Sequence, residues 1–234
     1  MKYYIIAGEA SGDLHGSNLI REIRNRDIHA DIRCWGGDLM AAAGATLVKH
    51  YAELAFMGFV EVIANLRTIF RNIAFCKNDI ASFDPDVIIF IDYPGFNLKF
   101  APAVKARSIP LMYYISPQLW AWHESRVNLI RKYVDRMVVL FSFELEFYRG
   151  HGIEADFAGH PLIDIVRPSE TKDAFRKSIG AENVPIVGFL PGSRKQEIRR
   201  ILPAMTESLN LIEASAGKVR GVLGCAPDLD DHEY

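Results

Sequence analysis

At 234 residues, half of them hydrophobic and about a quarter charged, the chain has the composition of a globular protein, which excludes the disordered and fibrous classes. Its 27 basic residues are outnumbered by 29 acidic ones for a formal charge of -2, with no long basic run, and broad nucleic-acid binding is excluded on that ground. No stretch approaches the roughly twenty uninterrupted apolar residues that a bilayer-spanning helix needs.

The chain opens Met1-Lys2 and runs straight into the apolar segment 3–7, which stops at Gly8. That segment is too short for the core of a secretory leader and has the length of a buried strand. Similar runs at 31–35, 87–91, 111–115, 137–141 and 186–190 end in small or acidic residues. Segments 18–24, 61–75, 101–106, 126–133, 143–148 and 197–214 carry apolar residues at helical spacing between them. The alternation predicts parallel βαβ units and a doubly wound, Rossmann-like α/β architecture. Residues 167–184 break the rhythm with Pro168, Ser169, Glu170, Thr171 and Lys172. The expected division is a first domain over 1–168, then a linker and an incomplete second domain over 169–234. After a further strand at 219–223, too few βα units remain to cover both faces of a sheet. Cys34, Cys76 and Cys225 are odd in number and without metal-ligand spacing, so they are expected to be packing residues in a reducing compartment.

In an open parallel sheet the functional crevice lies beyond the carboxyl ends of the strands, where helix amino-termini and loop amides converge. The first strand runs into Gly8-Glu9-Ala10-Ser11-Gly12-Asp13-Leu14-His15-Gly16, a Gly-rich turn whose spacing differs from the dinucleotide fingerprint and argues against NAD. Asp13 reads as the cap of the following helix, whereas Glu9, an acid on the turn itself, faces the crevice. The run 87–91 ends in Asp92-Tyr93-Pro94-Gly95-Phe96-Asn97. An acid at that position either caps its turn or acts as a general base from a partly desolvated place. Ser116-Pro117-Gln118-Leu119-Trp120-Ala121-Trp122 holds aromatics that suit either a sugar and acyl site or the core. His160, in Gly159-His160-Pro161, either touches a phosphate or satisfies a turn. Leu190-Pro191-Gly192-Ser193-Arg194 opens a helix and offers an anion site for a phosphate, or else Arg194 pairs with Glu197 on the surface. Residues 57–76 combine Phe59, Val60, Ile63, Leu66, Ile69, Phe70 and Ile73 with Arg67, Arg71 and Lys77, a pattern that fits either burial or an anionic membrane surface. Asp228-Leu229-Asp230-Asp231 has the form of a metal-binding D-x-D, but short acid runs are usually solvated loops.

Taken in order, these segments resemble one family, the lipid-A-disaccharide synthases. The residues that carry the likeness are Gly8 through Asp13, Gly36-Gly37 with Met40, Met57-Gly58 with Glu61-Val62, and Asp92-Tyr93-Pro94 with Phe96-Asn97. Ser116-Pro117 with Trp120-Ala121-Trp122 and Arg126, Gly159-His160, and Leu190 through Arg194 complete the set. The resemblance implies a GT-B fold, with the acceptor and acyl chains chiefly on the first domain and the UDP-sugar chiefly on the second. It implies condensation of UDP-2,3-diacylglucosamine with 2,3-diacylglucosamine 1-phosphate (lipid X) to the β-1,6-linked disaccharide 1-phosphate and UDP. No metal or other cofactor is expected. Glu9, Asp92 and Arg194 match family positions tied to activity. Asp92 is expected to deprotonate the acceptor 6-hydroxyl with help from Glu9, while Arg194, Ser193, Gly192, Ser11, Gly12, Asn97, Trp120, Arg126 and His160 hold substrate or phosphate. Gly95 stands where many members place a second acid, which leaves Asp92 to act largely alone. Later nucleotide-binding motifs of the family fall beyond Tyr234. Acylated substrates imply peripheral binding at the cytoplasmic face of the inner membrane through Val60, Ile63, Leu66 and Phe70, and the full-length protein is compatible with a homodimer. The competing expectations are another GT-B enzyme using UDP-N-acetylglucosamine and a catalytically inactive lipid-binding fragment.

Overall fold

A computed structural model describes residues 1–54, 66–121, 123–226 and 229–234, excepting the side chains of Leu66, Arg67 and Ile69. The chain divides into two compact units, Met1–Ile165 and Val166–Tyr234.

The first unit contains, in chain order, β1 (Lys2–Ala7), α1 (Ala10–Arg26), β2 (Asp31–Gly36), α2 (Asp38–Ala42), β3 (Thr46–His50), α3 (Leu66–Phe83), β4 (Val87–Ile91) and α4 (Pro94–Lys105). It continues with β5 (Leu111–Tyr114), α5 (Val127–Tyr133), β6 (Arg136–Val139), α6 (Ser142–Gly150), β7 (Asp156–Phe157) and α7 (Leu162–Ile165). The strands form one parallel sheet in the order β3-β2-β1-β4-β5-β6-β7. Chain direction across the sheet therefore reverses between β1 and β4, whose ends lie side by side with Ala7 opposite Ile91.

The central strands are apolar on both faces because helices cover both. With a side-chain period of two, Tyr4 and Ile6 of β1 and Ile88 and Phe90 of β4 enter one core, which α3, α4 and α5 close with Cys76, Ile80, Phe100, Val104 and Ile130. Their neighbours Ile5, Ala7, Ile89 and Ile91 enter the other, closed by Ile20 of α1 and Met40 of α2. Cys34 and Cys76 belong to these cores, and burial pushes the Cys34 thiol up to about 12. Cys225, expected to pack with them, is instead exposed.

Three local expectations are corrected. The segment Thr46–His50 is an edge strand, so the run at 87–91 is the fourth strand and not the third. Helix α1 begins at Ala10, well before residue 18, with Glu9 at its amino-terminal cap position. Asp13, expected to cap α1, lies inside its first turn and caps α2 instead. Its carboxylate accepts backbone N–H bonds from Gly37 at 2.7 Å, Leu39 at 3.1 Å and Met40 at 3.0 Å. Gly37 has to be glycine for this, since a Cβ there would lie 2.6 Å from the Asp13 carboxylate.

The second unit contains α8 (Lys172–Ser178), β8 (Ile186–Phe189), α9 (Lys195–Ala216) and β9 (Arg220–Leu223). Strands β8 and β9 pair in parallel, with Ile186 opposite Arg220. Thr171 starts α8 by accepting the Ala174 N–H on its hydroxyl, as Ser and Thr caps commonly do.

Candidate active site

The ends of β1 and β4 form the topological switch point of the first unit, the place where open α/β sheets bind ligands. Glu9 follows β1 in extended conformation and is exposed. Asp92 follows β4 and is half-buried. Asp92 and Tyr93 both have left-handed backbones, with φ of 42° and 50°. For non-glycine residues each such conformation costs on the order of 1–3 kcal/mol and persists only where its surroundings over-determine it.

Those surroundings are visible. The Asp92 N–H donates to the Ile115 carbonyl at 3.2 Å. The Asp92 carbonyl accepts from the Tyr113 hydroxyl at 2.6 Å and from the Asn97 side-chain amide at 2.8 Å. Burial and then the Asp92 charge push the Tyr113 phenol well above its ordinary range. The Tyr93 ring lies across Gly8, where a Cβ would come within 2.3 Å of it, so a glycine is required where β1 meets the turn of β4. Burial, followed by the Glu9 charge, raises the Tyr93 phenol as well. Glu9, Tyr93 and Asp92 thus share one neighbourhood.

The other expected residues of this unit are distributed around it. Ser11 is exposed in the first turn of α1, while Gly12 is buried against Ala7. Arg126 lies in a short 3-10 turn ahead of α5, half-buried, and its charge acts on Tyr113. Asn97, expected to touch substrate, is fully buried with its amide committed to the Asp92 carbonyl. It supports the site from beneath. The ring nitrogen Nδ1 of His160 accepts the Leu162 N–H at 3.2 Å, which fixes the proton on Nε2 when the ring is neutral. Its ring stands 6.4 Å from that of His15, whose imidazole is driven below its ordinary range by burial and then by His160.

Exposed aromatics form a rim of their own next to His160. Trp120 meets Phe143 edge-on at 5.0 Å, Phe143 stacks on Phe141 at 5.6 Å, and Phe141 approaches His160 at 5.6 Å. Trp122 lies outside the described residues. This rim is seated by Glu144, which sequence reasoning missed. Glu144 is 1% exposed, accepts the Ser116 hydroxyl at 2.6 Å, and takes the Leu140 and Phe141 N–H groups on its other oxygen. The signal available in the sequence was an acid three residues into a helix, the capping-box position.

In the second unit, Gly192 has a φ of 109° and Ser193 and Arg194 are exposed ahead of α9. Arg194 is ion-paired with Glu197 at 3.1 Å. The Arg194 bond, foremost, holds the Glu197 carboxyl low, and Glu197 also accepts the Ser193 and Arg194 backbone N–H groups. The helix terminus expected to bind phosphate therefore carries a carboxylate of its own chain, which an incoming anion has to displace. Among the described residues no His, Cys, Asp and Glu cluster could hold a metal. Asp228 lies outside them.

The family model described as lipid-A-disaccharide synthetase matches residues 3–232. The chain is 42% identical over 228 residues to the lipid-A-disaccharide synthase of Geobacter metallireducens, covering 97% of this chain and 59% of that one. It is 40% identical to the enzyme of the same name from Syntrophus aciditrophicus, covering 60% of its length. The chain thus spans about three-fifths of the curated relatives it matches. Among solved structures, a UDP-GlcNAc 2-epimerase from Neisseria meningitidis aligns with TM-score 0.65 at 11% identity, over 97% of this chain and 67% of that chain. A putative UDP-N-acetylglucosamine 2-epimerase from Listeria monocytogenes aligns with TM-score 0.68 at 12% identity, over 97% and 63%. These likenesses show an α/β fold of the GT-B type.

Proposed function

Since this chain belongs to the lipid-A-disaccharide synthase family, we propose that it carries the acceptor-activating half of a glycosyl transfer from UDP-2,3-diacylglucosamine to lipid X. The observation that carries this reading is the pair of acids at the switch point, with Asp92 held in a left-handed turn at the end of β4. In the reaction, the acceptor 6-hydroxyl oxygen attacks the anomeric carbon of the donor. The C–O bond to UDP breaks with its electrons leaving on the phosphate, the configuration inverts, and the hydroxyl proton passes to the Asp92 carboxylate. Glu9 orients the acceptor or assists the transfer. Arg194, once its pair with Glu197 exchanges for a phosphate, neutralises charge on that group.

The test offers lipid X with UDP-2,3-diacylglucosamine or with UDP-N-acetylglucosamine and follows UDP release. Release with the diacylated donor alone supports the proposal. Release with the water-soluble donor points to a different GT-B enzyme, and lipid X binding without UDP release points to a binding module.

Acylated substrates further require that the protein meet the bilayer, and α3 supplies a suitable face. No described helix is long and apolar enough to cross a membrane. Helix α3 buries Asn72, Cys76, Ile80 and Phe83 on one side. On the other it exposes Phe70 by 67% and Phe75 by 46%, beside exposed Arg71 and Lys77. Aromatics flanked by cations dock on anionic lipid. Of the residues expected on this surface, Val60 and Ile63 and the side chain of Leu66 lie outside what is described. Replacing Val60, Leu66 and Phe70 together with Ser should release the protein from anionic vesicles while its circular dichroism stays unchanged. Undiminished co-sedimentation with those vesicles would remove the docking role.

A further inference from the structure

Two buried donors converge on a single backbone carbonyl beneath the switch point. The Tyr113 hydroxyl reaches the Asp92 carbonyl at 2.6 Å and the Asn97 amide reaches the same oxygen at 2.8 Å. Both side chains are 0% exposed, so water does not compete for either bond. The peptide on the other side of the Asp92 α-carbon is pinned too, by its N–H bond to the Ile115 carbonyl. Strand β5 and the residue after it therefore hold Asp92 from both sides. Asn97 is itself anchored, since its N–H donates to the Tyr93 carbonyl at 3.0 Å.

What is being held is unusual. Two successive non-glycine residues with positive φ do not arise from local preference, since only glycine visits that region freely and Asp does so mainly as a single residue. A carbonyl with two lone pairs can accept two donors at once, and here both are spent on one orientation of the 92–93 peptide. We infer that Tyr113 and Asn97 are positioning residues for Asp92. They touch no reacting atom. By fixing the carbonyl they fix the left-handed turn, and the turn sets the direction in which the Asp92 carboxyl leaves the strand. This role rests on Asp92 being the general base of the proposed reaction.

The test compares Tyr113→Phe with Tyr4→Phe and Asp92→Asn in the purified chain. Tyr4 is an equally buried phenol in the middle of β1, whose hydroxyl donates to Asp79 of α3 at 2.7 Å and makes no bond to Asp92. Amide hydrogen exchange and steady-state kinetics are read together. In Tyr113→Phe, exchange at the Asp92 and Asn97 amides should quicken about ten-fold or more while the β4 amides of Ile89 and Ile91 keep their protection, as a local opening requires. Turnover should fall about ten-fold with KM within roughly two-fold, the signature of a lost transition-state interaction. Tyr4→Phe should leave both unchanged at the site. Unaltered exchange at Asp92 and Asn97, or a uniform rise across β4 and β5, would overturn the clamp. Quickened exchange together with full turnover in Asp92→Asn would leave the clamp standing but discard the general-base reading, and with it the positioning role.

Discussion

Asp92→Asn should lower turnover by about a hundred-fold or more, the range lost with a general base. The substitution isolates the proposed proton acceptor. Asparagine adopts the left-handed region as readily as aspartate does, so the φ of 42° at this position and the carbonyl bonds from Tyr113 and Asn97 are retained. What disappears, on the proposed mechanism, is the ability to take the acceptor hydroxyl proton. Gly95, exposed and without a side chain, offers no second carboxylate on the same turn. Glu9, which follows β1 across the switch point, is on the proposed mechanism the acid that substitutes in part, and Glu9→Gln in the Asp92→Asn background should then lower the residual rate further. Rate measurements at saturating acceptor decide the matter, and near-normal turnover in Asp92→Asn would take this residue out of the chemistry.

The largest expected effect on stability comes from Asp13→Ala. Its buried carboxylate satisfies three backbone N–H groups at the start of α2, and the residue is 3% exposed. Removing it leaves those donors without their acceptor in a place that water does not reach. Charge-assisted bonds of this kind and the penalty for orphaned buried donors together come to about 3 kcal/mol or more. For a unit of this size that corresponds to a fall in melting temperature of roughly 10 °C. Asp13→Asn should recover only part of the loss, because its amide nitrogen brings a donor to a site filled with donors. A melting temperature within about 2 °C of the parent chain would show that α2 finds other partners.

The contrast between Asp13 and Glu9 explains how far the candidate site was legible. Both are acids of one Gly-rich turn, and both carry the family resemblance. Sequence reasoning expected Glu9 toward the crevice because it stands on the turn itself, and in the structure its side chain is exposed. Asp13 read as a cap for its own helix, since capping is usually local. Its donors lie 24 to 27 residues away, and no periodicity reports a bond of that range. Asn97 shows the same limit. Its motif position beside Asp92 suggested a substrate contact, while its amide faces inward to a neighbouring carbonyl. Thr46–His50 escaped notice because an edge strand with Lys49 and His50 lacks the double-faced apolar run of β1 or β4.

What the sequence by itself determined was the layered architecture. Apolar runs ending in small or acidic residues can be buried on both faces only in a parallel sheet wrapped by helices, and such a sheet gathers its loop residues at the carboxyl ends of its strands. Tertiary structure alone decided which polar residues at the strand ends stay exposed and which are buried to hold other segments in place. It set Asp13 under α2, Glu144 under the aromatic rim, and Tyr113 with Asn97 under Asp92. Each of those assignments is a hydrogen bond between segments distant in the chain or folded back on themselves. Buried donors and acceptors must find partners wherever packing brings them, and that choice belongs to the assembled fold.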